Sequence, residues 1–217
     1  MRQLSELFHK CAYDIHYEEI GHNVNYAFEE NGDELTIYFQ GSSSMVDWTR
    51  NFWFFPKKKK PYKDMEEPFK VHEGFLDAWK EVEHLIIGKV IYPKWKHITI
   101  VGYSHGGALA MLCHECVWYY RPDLRENGLA GFGFEAPRVY AGWHVRKDLK
   151  ERWKNFTIIR TGCDIVTHVP PTLFRFCHVG KILKLKGDIS LVQDNVPFFI
   201  KYHYPQVVYD ALVKANL

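Results

Sequence analysis

What is scarce in this chain of 217 residues narrows its class before any motif is read. Long apolar runs are missing, and none reaches the roughly 18 residues that a membrane-spanning helix needs. Charge of one sign is missing too. Lys plus Arg total 28 against 26 for Asp plus Glu, a formal net charge of +2. A near-balanced chain lacks the basic field that marks nucleic-acid-binding domains, so no nucleic acid is expected as a partner. Cysteine is sparse and odd in number: Cys11, Cys113, Cys116, Cys163 and Cys177 show no disulfide-framework spacing. Free thiols in a reducing compartment are the expectation. Cys113 and Cys116 form a CxxC, but no second pair stands at zinc spacing, and buried helix cysteines are the simpler reading. No phosphate loop, dinucleotide fingerprint or clustered-histidine pattern occurs, so neither a cofactor nor a metal is expected. Residues 1–19 carry polar side chains every few positions, with no apolar h-region and no small-residue cleavage site, which leads to the expectation of a cytoplasmic protein. No repeat and no Ser/Pro/Gly-rich linker interrupts the chain, so residues 1–217 read as a single domain.

What is plentiful is material for a core. Hydrophobic residues make up 47% and aromatic residues 16%, a composition that excludes a disordered chain. Apolar positions Leu4, Leu7, Phe8 and Cys11 recur at helical spacing and predict a helix over about 3–19. Val24 to Glu29 and Glu34 to Gln40 alternate like strands around Asn31-Gly32-Asp33, a hairpin signal. Helix period returns from Gly74 through Phe75, Trp79, Val82, Leu85 and Ile86. His97 to Val101 is a β-branched run suited to a central strand, and Ala108 to Tyr120 is apolar on most sides, as a helix pressed onto a sheet would be. Leu129 to Phe134, Phe156 to Arg160 and Val179 to Leu185 read as further strands. Trp143 to Lys154 reads as a polar helix and Val207 to Leu217 as a closing one. Strands alternating with helices imply an α/β fold with a mainly parallel sheet and an antiparallel hairpin at one edge. Ligands in such folds bind beyond the carboxyl ends of the strands.

Gly102-Tyr103-Ser104-His105-Gly106 is a G-x-S-x-G between a predicted strand and a predicted helix. A serine at that turn is held with its hydroxyl exposed, and the glycines remove side chains that would strike the neighbouring strand and helix. The helix N-terminus behind it offers N–H groups to an oxyanion. A serine hydroxyl becomes a nucleophile only when a base takes its proton, so a histidine and an orienting acid are required, in the chain order Ser, acid, His. Asp164, just after the Phe156 strand, is the leading acid, with Glu135 at the end of the preceding strand as runner-up. His203, in a loop before the last helix, is the leading base. His168 more simply braces the acid loop, and His178 opens a predicted strand that would fix its side chain in the sheet.

With these residues placed, the chain resembles the class 3 lipase family, a branch of the α/β hydrolases. The likeness is carried by Phe39-Gln40-Gly41-Ser42-Ser43-Ser44 with Asp47-Trp48, and by Val71-His72-Glu73-Gly74-Phe75. The elbow around Ser104 carries it further, as do Ala136-Pro137-Arg138-Val139, Asp164 with Val169-Pro170-Pro171, and His203. The resemblance implies an α/β-hydrolase fold with a mainly parallel central sheet flanked by helices. It implies a catalytic triad of Ser104, Asp164 and His203, with oxyanion donors at Ser42 (backbone N–H and hydroxyl) and at the His105 backbone N–H. Tyr103 and His105 stand where the family usually has histidine and leucine, and Gln40 stands where it usually has arginine. The stretch from Met45 to Pro61 corresponds to the family's lid; Trp48 and Phe52 within it are candidates to line an acyl pocket. Lys57 to Lys60 then face an anionic lipid surface during transient contact. The function so implied is hydrolysis of lipid-like carboxylic esters, an acylglycerol or the acyl ester of a phospholipid. An esterase for small or aromatic acyl esters, and a catalytically idle binding module, are the alternatives.

Overall fold

A computed structural model describes residues 2–21, 24–41, 70–142, 147–193 and 195–217. Its main sheet, among the described residues, has the order β1-β2-β3-β5-β6-β8-β10. The strands are β1 (Glu18–Ile20), β2 (Val24–Asn31), β3 (Glu34–Phe39), β5 (His97–Tyr103), β6 (Leu129–Phe134), β8 (Phe156–Thr161) and β10 (Lys181–Leu185). From β3 to β10 every pairing is parallel, whereas β1, β2 and β3 pair antiparallel. The hairpin sits where the sequence predicts it, with Asn31 opposite Glu34. Three two-residue strands, β4 (Lys70–Val71), β7 (Tyr140–Ala141) and β9 (Phe176–Cys177), make a small second sheet.

The alternation of side chains along the strands divides the core into two layers. Leu35, Ile37, Phe39, Ile98, Ile100 and Ile158 point to one face, where they meet α2 (Glu73–Val90) and α3 (His105–Tyr120). Tyr38, Val101, Phe134 and Ile159 point to the other, against Leu7 and Phe8 of α1 (Leu4–His9) and Val208 and Leu212 of α6 (Pro205–Lys214). This is an α/β-hydrolase arrangement, with a mainly parallel sheet between helical layers. α3 crosses the middle of the sheet, which is why its residues from Gly106 to Val117 are all buried. The short α4 (Lys147–Arg152) precedes β8, and α5 (Phe198–Lys201) precedes α6.

The N-terminal segment departs from expectation. The predicted helix over 3–19 ends at His9 and continues as a wider turn over Lys10–Asp14, with Ile15 N–H bonded to Lys10 O at 3.1 Å. The apolar period stops at Cys11, and the residues after it pair as a strand instead, Glu18 opposite Tyr26. The last sheet strand begins at Lys181 rather than Val179.

Candidate active site

The site is built from the carboxyl ends of β5, β6 and β8. β5 ends at Tyr103, and Ser104 turns the chain into α3 with φ 58° and ψ −122°. Its backbone is tied down on both sides, Ser104 N–H to Phe134 O and Gly107 N–H to Ser104 O, each at 2.9 Å. The flanking glycines are required by contact: a Cβ on Gly102 would lie 2.1 Å from Gly106 O, and one on Gly106 would lie 2.2 Å from Phe39 O. The turn therefore cannot relax, and the backbone strain at Ser104 is held by its surroundings.

The candidate base, His203, lies in the loop between α5 and α6. Ser104 Oγ donates to His203 Nε2 at 2.8 Å. On the far side of the ring, His203 Nδ1 donates to Asp164 Oδ2 at 2.6 Å, with both side chains fully buried. A carboxylate can only accept, so this bond fixes the imidazole tautomer with its lone pair aimed at Ser104. Sequence reasoning placed all three residues, and the structure brings all three together.

The acid loop is braced from several directions. Asp164 Oδ1 accepts from Val166 N–H at 3.0 Å, and its backbone carbonyl accepts from Thr167 Oγ1 at 2.9 Å and from His168 Nδ1 at 2.8 Å. Arg160 closes the outer side through Thr167 Oγ1 at 3.0 Å and His168 Nε2 at 2.7 Å. His168 thus takes the bracing role expected of it. His178 differs from expectation: it lies between β9 and β10, outside either strand, and its Nε2 donates to Thr167 O at 2.7 Å. Burial pulls its pKa down to about 4, so at neutral pH it is an uncharged second brace. Gly162, at φ 52°, is where the ring of Tyr202 crosses the acid loop; a Cβ there would lie 2.2 Å from that ring. The same approach delivers the next residue, His203. Ile165 N–H also bonds Phe199 O at 3.2 Å, joining acid loop to base loop.

One contributor was not foreseen. Tyr103 stacks its ring on the His203 imidazole, 5.2 Å between centroids and 25° between planes, and its hydroxyl donates to the His203 backbone carbonyl. The sequence signals Tyr103 only as a departure from the family pattern, since stacking across 100 residues of chain has no local signature.

His105 opens α3, so its backbone N–H follows the nucleophile directly, as an oxyanion donor must. Its ring packs beside Phe75 at 5.7 Å, with His72 nearby. Burial, and secondarily His72, pulls its pKa down to about 4; burial brings His72 to about 4 as well. The wall next to Ser104 is therefore neutral at physiological pH. Glu135, the alternative acid, lies fully buried at the end of β6 and makes no bond to His203. Ser42, Trp48, Phe52 and Lys57 to Lys60 lie outside the described residues. Among the described residues no group of His, Cys, Asp and Glu is gathered closely enough to hold a metal ion.

Comparison with known proteins follows the same lines. The family model described as Lipase (class 3) matches residues 36–174. A lipase of Rhizomucor miehei is 31% identical over 177 residues, covering 74% of this chain and 44% of that relative. The secreted mono- and diacylglycerol lipase 1 of Fusarium solani is 30% identical over 167 residues, 71% of this chain and 44% of its own length. The chain thus spans less than half the length of these curated relatives. Among solved structures, a triacylglycerol lipase whose catalytic centre is described as a serine protease triad superposes with a TM-score of 0.65 at 24% identity, over 86% of this chain and 78% of that one. The Rhizomucor miehei triacylglyceride lipase superposes with a TM-score of 0.63 at 23% identity, over 90% and 82%. These superpositions establish a shared fold.

Proposed function

This chain belongs to the class 3 lipase family, and on that premise we propose that it is a serine hydrolase of lipid-like carboxylic esters, acylglycerols or the acyl esters of phospholipids. The observation that carries the reading is the continuous chain of hydrogen bonds from Ser104 Oγ through His203 to Asp164, 2.8 Å and 2.6 Å long. Ser104 Oγ attacks the ester carbonyl carbon while His203 Nε2 takes its proton. The carbonyl oxygen becomes an oxyanion held by the His105 backbone N–H and, on the family pattern, by Ser42; each such donor is worth about 3 kcal/mol in the transition state. Collapse of the tetrahedral species expels the alcohol, which leaves with the proton from His203, and Ser104 is acylated. Water, deprotonated by His203, then attacks the acyl carbonyl, and the proton returns to Ser104 Oγ as the carboxylic acid departs. Asp164 keeps its negative charge throughout and stabilises the imidazolium.

Lipid character is supported by the apolar side chains around the loops that carry acid and base. Ile165, Phe198 and Phe199 are exposed beside Asp164 and His203. Exposed apolar groups at the rim of a site suit an acyl chain or a lipid surface better than a polar substrate. The five cysteines are all free, which suits a reducing compartment. The test is turnover of p-nitrophenyl esters from acetate to palmitate, with an emulsified triglyceride alongside. The proposal expects turnover that rises with acyl length and extends to the emulsion. A preference for acetate over every longer ester moves the assignment to a small-ester esterase, and no turnover of any ester removes the hydrolase reading.

A further inference from the structure

The end of β6 carries a carboxyl group that the reaction above leaves unused. Glu135 follows Phe134 directly, with φ 48° and no exposed surface. Left-handed backbone at a residue with a side chain is strained. Neither of its carboxyl oxygens meets a donor in ordinary hydrogen-bond geometry among the described residues. The groups it faces are Asp164 and Thr161. An ionised carboxylate in that position has only the hydroxyl and backbone N–H of Thr161 beside it to offset the loss of water, whereas a neutral carboxyl also has an O–H to give to Asp164. Asp164 is placed differently, since it accepts N–H bonds from Val166 and His203. Of the two buried carboxyls, the one that accepts bonds from Val166 and His203 keeps the charge, and Glu135, with no bond of ordinary geometry, keeps the proton.

We propose that Glu135 is a positioning residue of the triad: a neutral carboxylic acid whose O–H donates to the Asp164 carboxylate, holding it in register with His203 and moderating its pull on the imidazole proton. The inference rests on the Ser104–His203–Asp164 reading. Burial, followed by the Asp164 charge, pushes the Glu135 carboxyl well above the ordinary carboxylate range, in the same direction. The other titratable groups around the pair are few. Tyr103 lies at the end of β5, and burial and then the two carboxyls push its phenol up. Behind it stand Tyr13, pushed up by burial, and Cys11, pushed up to about 12 by burial. Beside Asp164 stands His203, and Arg160 and His168 lie on the outer side of the acid loop.

A hydrogen bond from Glu135 shares the Asp164 charge; without it, Asp164 holds an imidazolium more tightly. The acid limb of the kcat/KM profile therefore moves up in pH when the donor is lost and returns when a donor is restored. Two variants keep a side chain on the same backbone. Glu135→Leu has a similar volume and no donor, while Glu135→Gln offers an amide N–H to Asp164. With a soluble p-nitrophenyl ester and the full chain, the acid limb of Glu135→Leu is expected about one pH unit above wild type, the size of one charge-assisted hydrogen bond. That of Glu135→Gln is expected to coincide with wild type. Independently of turnover, the infrared difference spectrum of resting wild type minus Glu135→Gln at slightly alkaline pH should hold the C=O band of a protonated carboxyl. Absence of that band, an acid limb that moves down in both variants as on removal of an anion, or loss of thermal stability with an unmoved limb would each overturn the proposal. Should Glu135→Leu fail to fold, the infrared band of wild type and the Glu135→Gln profile decide. If wild type turns over no ester, the hydrolase reading falls on its own and the infrared band still decides the state of Glu135.

Discussion

At the amino end of the central strands a buried arginine answers to backbone carbonyls; at their carboxyl end buried carboxyls answer to a histidine and to each other. Arg121, at the end of α3, sends its guanidinium to Val90 O at 2.7 Å, Tyr92 O at 3.2 Å and Trp95 O at 2.8 Å, and grips Asp123 at 2.9 and 2.7 Å. It clamps the end of α2, the approach to β5 and the end of α3 in one network, with every bond used to hold framework. At the opposite end β5, β6 and β8 are followed by Ser104 at φ 58°, Glu135 at φ 48° and Gly162 at φ 52°, in a zone of titratable side chains. The lesson is that burial of charge alone does not mark a reactive site. Charge saturated by fixed carbonyls is architecture, whereas titratable groups aligned on one another across strained strand ends can pass protons.

Removing chemistry at the carboxyl end of the strands should leave stability in place. Ser104→Ala should lower ester turnover by about 10⁶ and leave the melting temperature within a degree or so of wild type; kinetics and a thermal melt read both. Asp164→Asn should lower kcat by about 10⁴, because the amide lets the imidazole adopt the wrong tautomer. Turnover that survives in this variant would hand the orienting role to another group.

Changes at the amino end should show the reverse pattern. Arg121→Met leaves three carbonyls without their donor and should cost about 3 kcal/mol in urea unfolding, with kcat per folded molecule unchanged. A smaller effect concerns its partner. The hydrogen bonds from Arg121 hold the Asp123 carboxyl below its ordinary range. A folded-state value below the unfolded one means stability that is present above pH ~4 and is lost as pH falls through the folded value. Asp123→Asn should therefore flatten the fall of the urea midpoint below pH ~4, while leaving the pH profile of turnover untouched.

The two ends were unequally legible in the sequence. The elbow was readable because its requirement is local: a serine between glycines, after a β-branched run and before an apolar helix. Asp164 and His203 were readable because loops after strands are the places from which a side chain can reach the nucleophile. Tyr103 over His203 and Glu135 against Asp164 are contacts through space, and nothing near either residue in the chain announces them. Arg121 has no local signature for the same reason, since its acceptors are carbonyls that any residue supplies. In the N-terminal segment the helix period was real but short, and sheet pairing with β2 outweighed it beyond Asp14. The roles assigned to Ser42, Trp48 and Phe52 fall on residues outside those described.

The central claim is that the proton path at the carboxyl end makes Ser104 a nucleophile. Its most direct test is to treat the full chain with a fluorophosphonate and map the adduct by peptide mass spectrometry. The account predicts one adduct per chain on the peptide containing Ser104, lost in Ser104→Ala and strongly slowed in His203→Ala. An adduct on any other residue, or equal labelling of the Ser104→Ala protein, would contradict it.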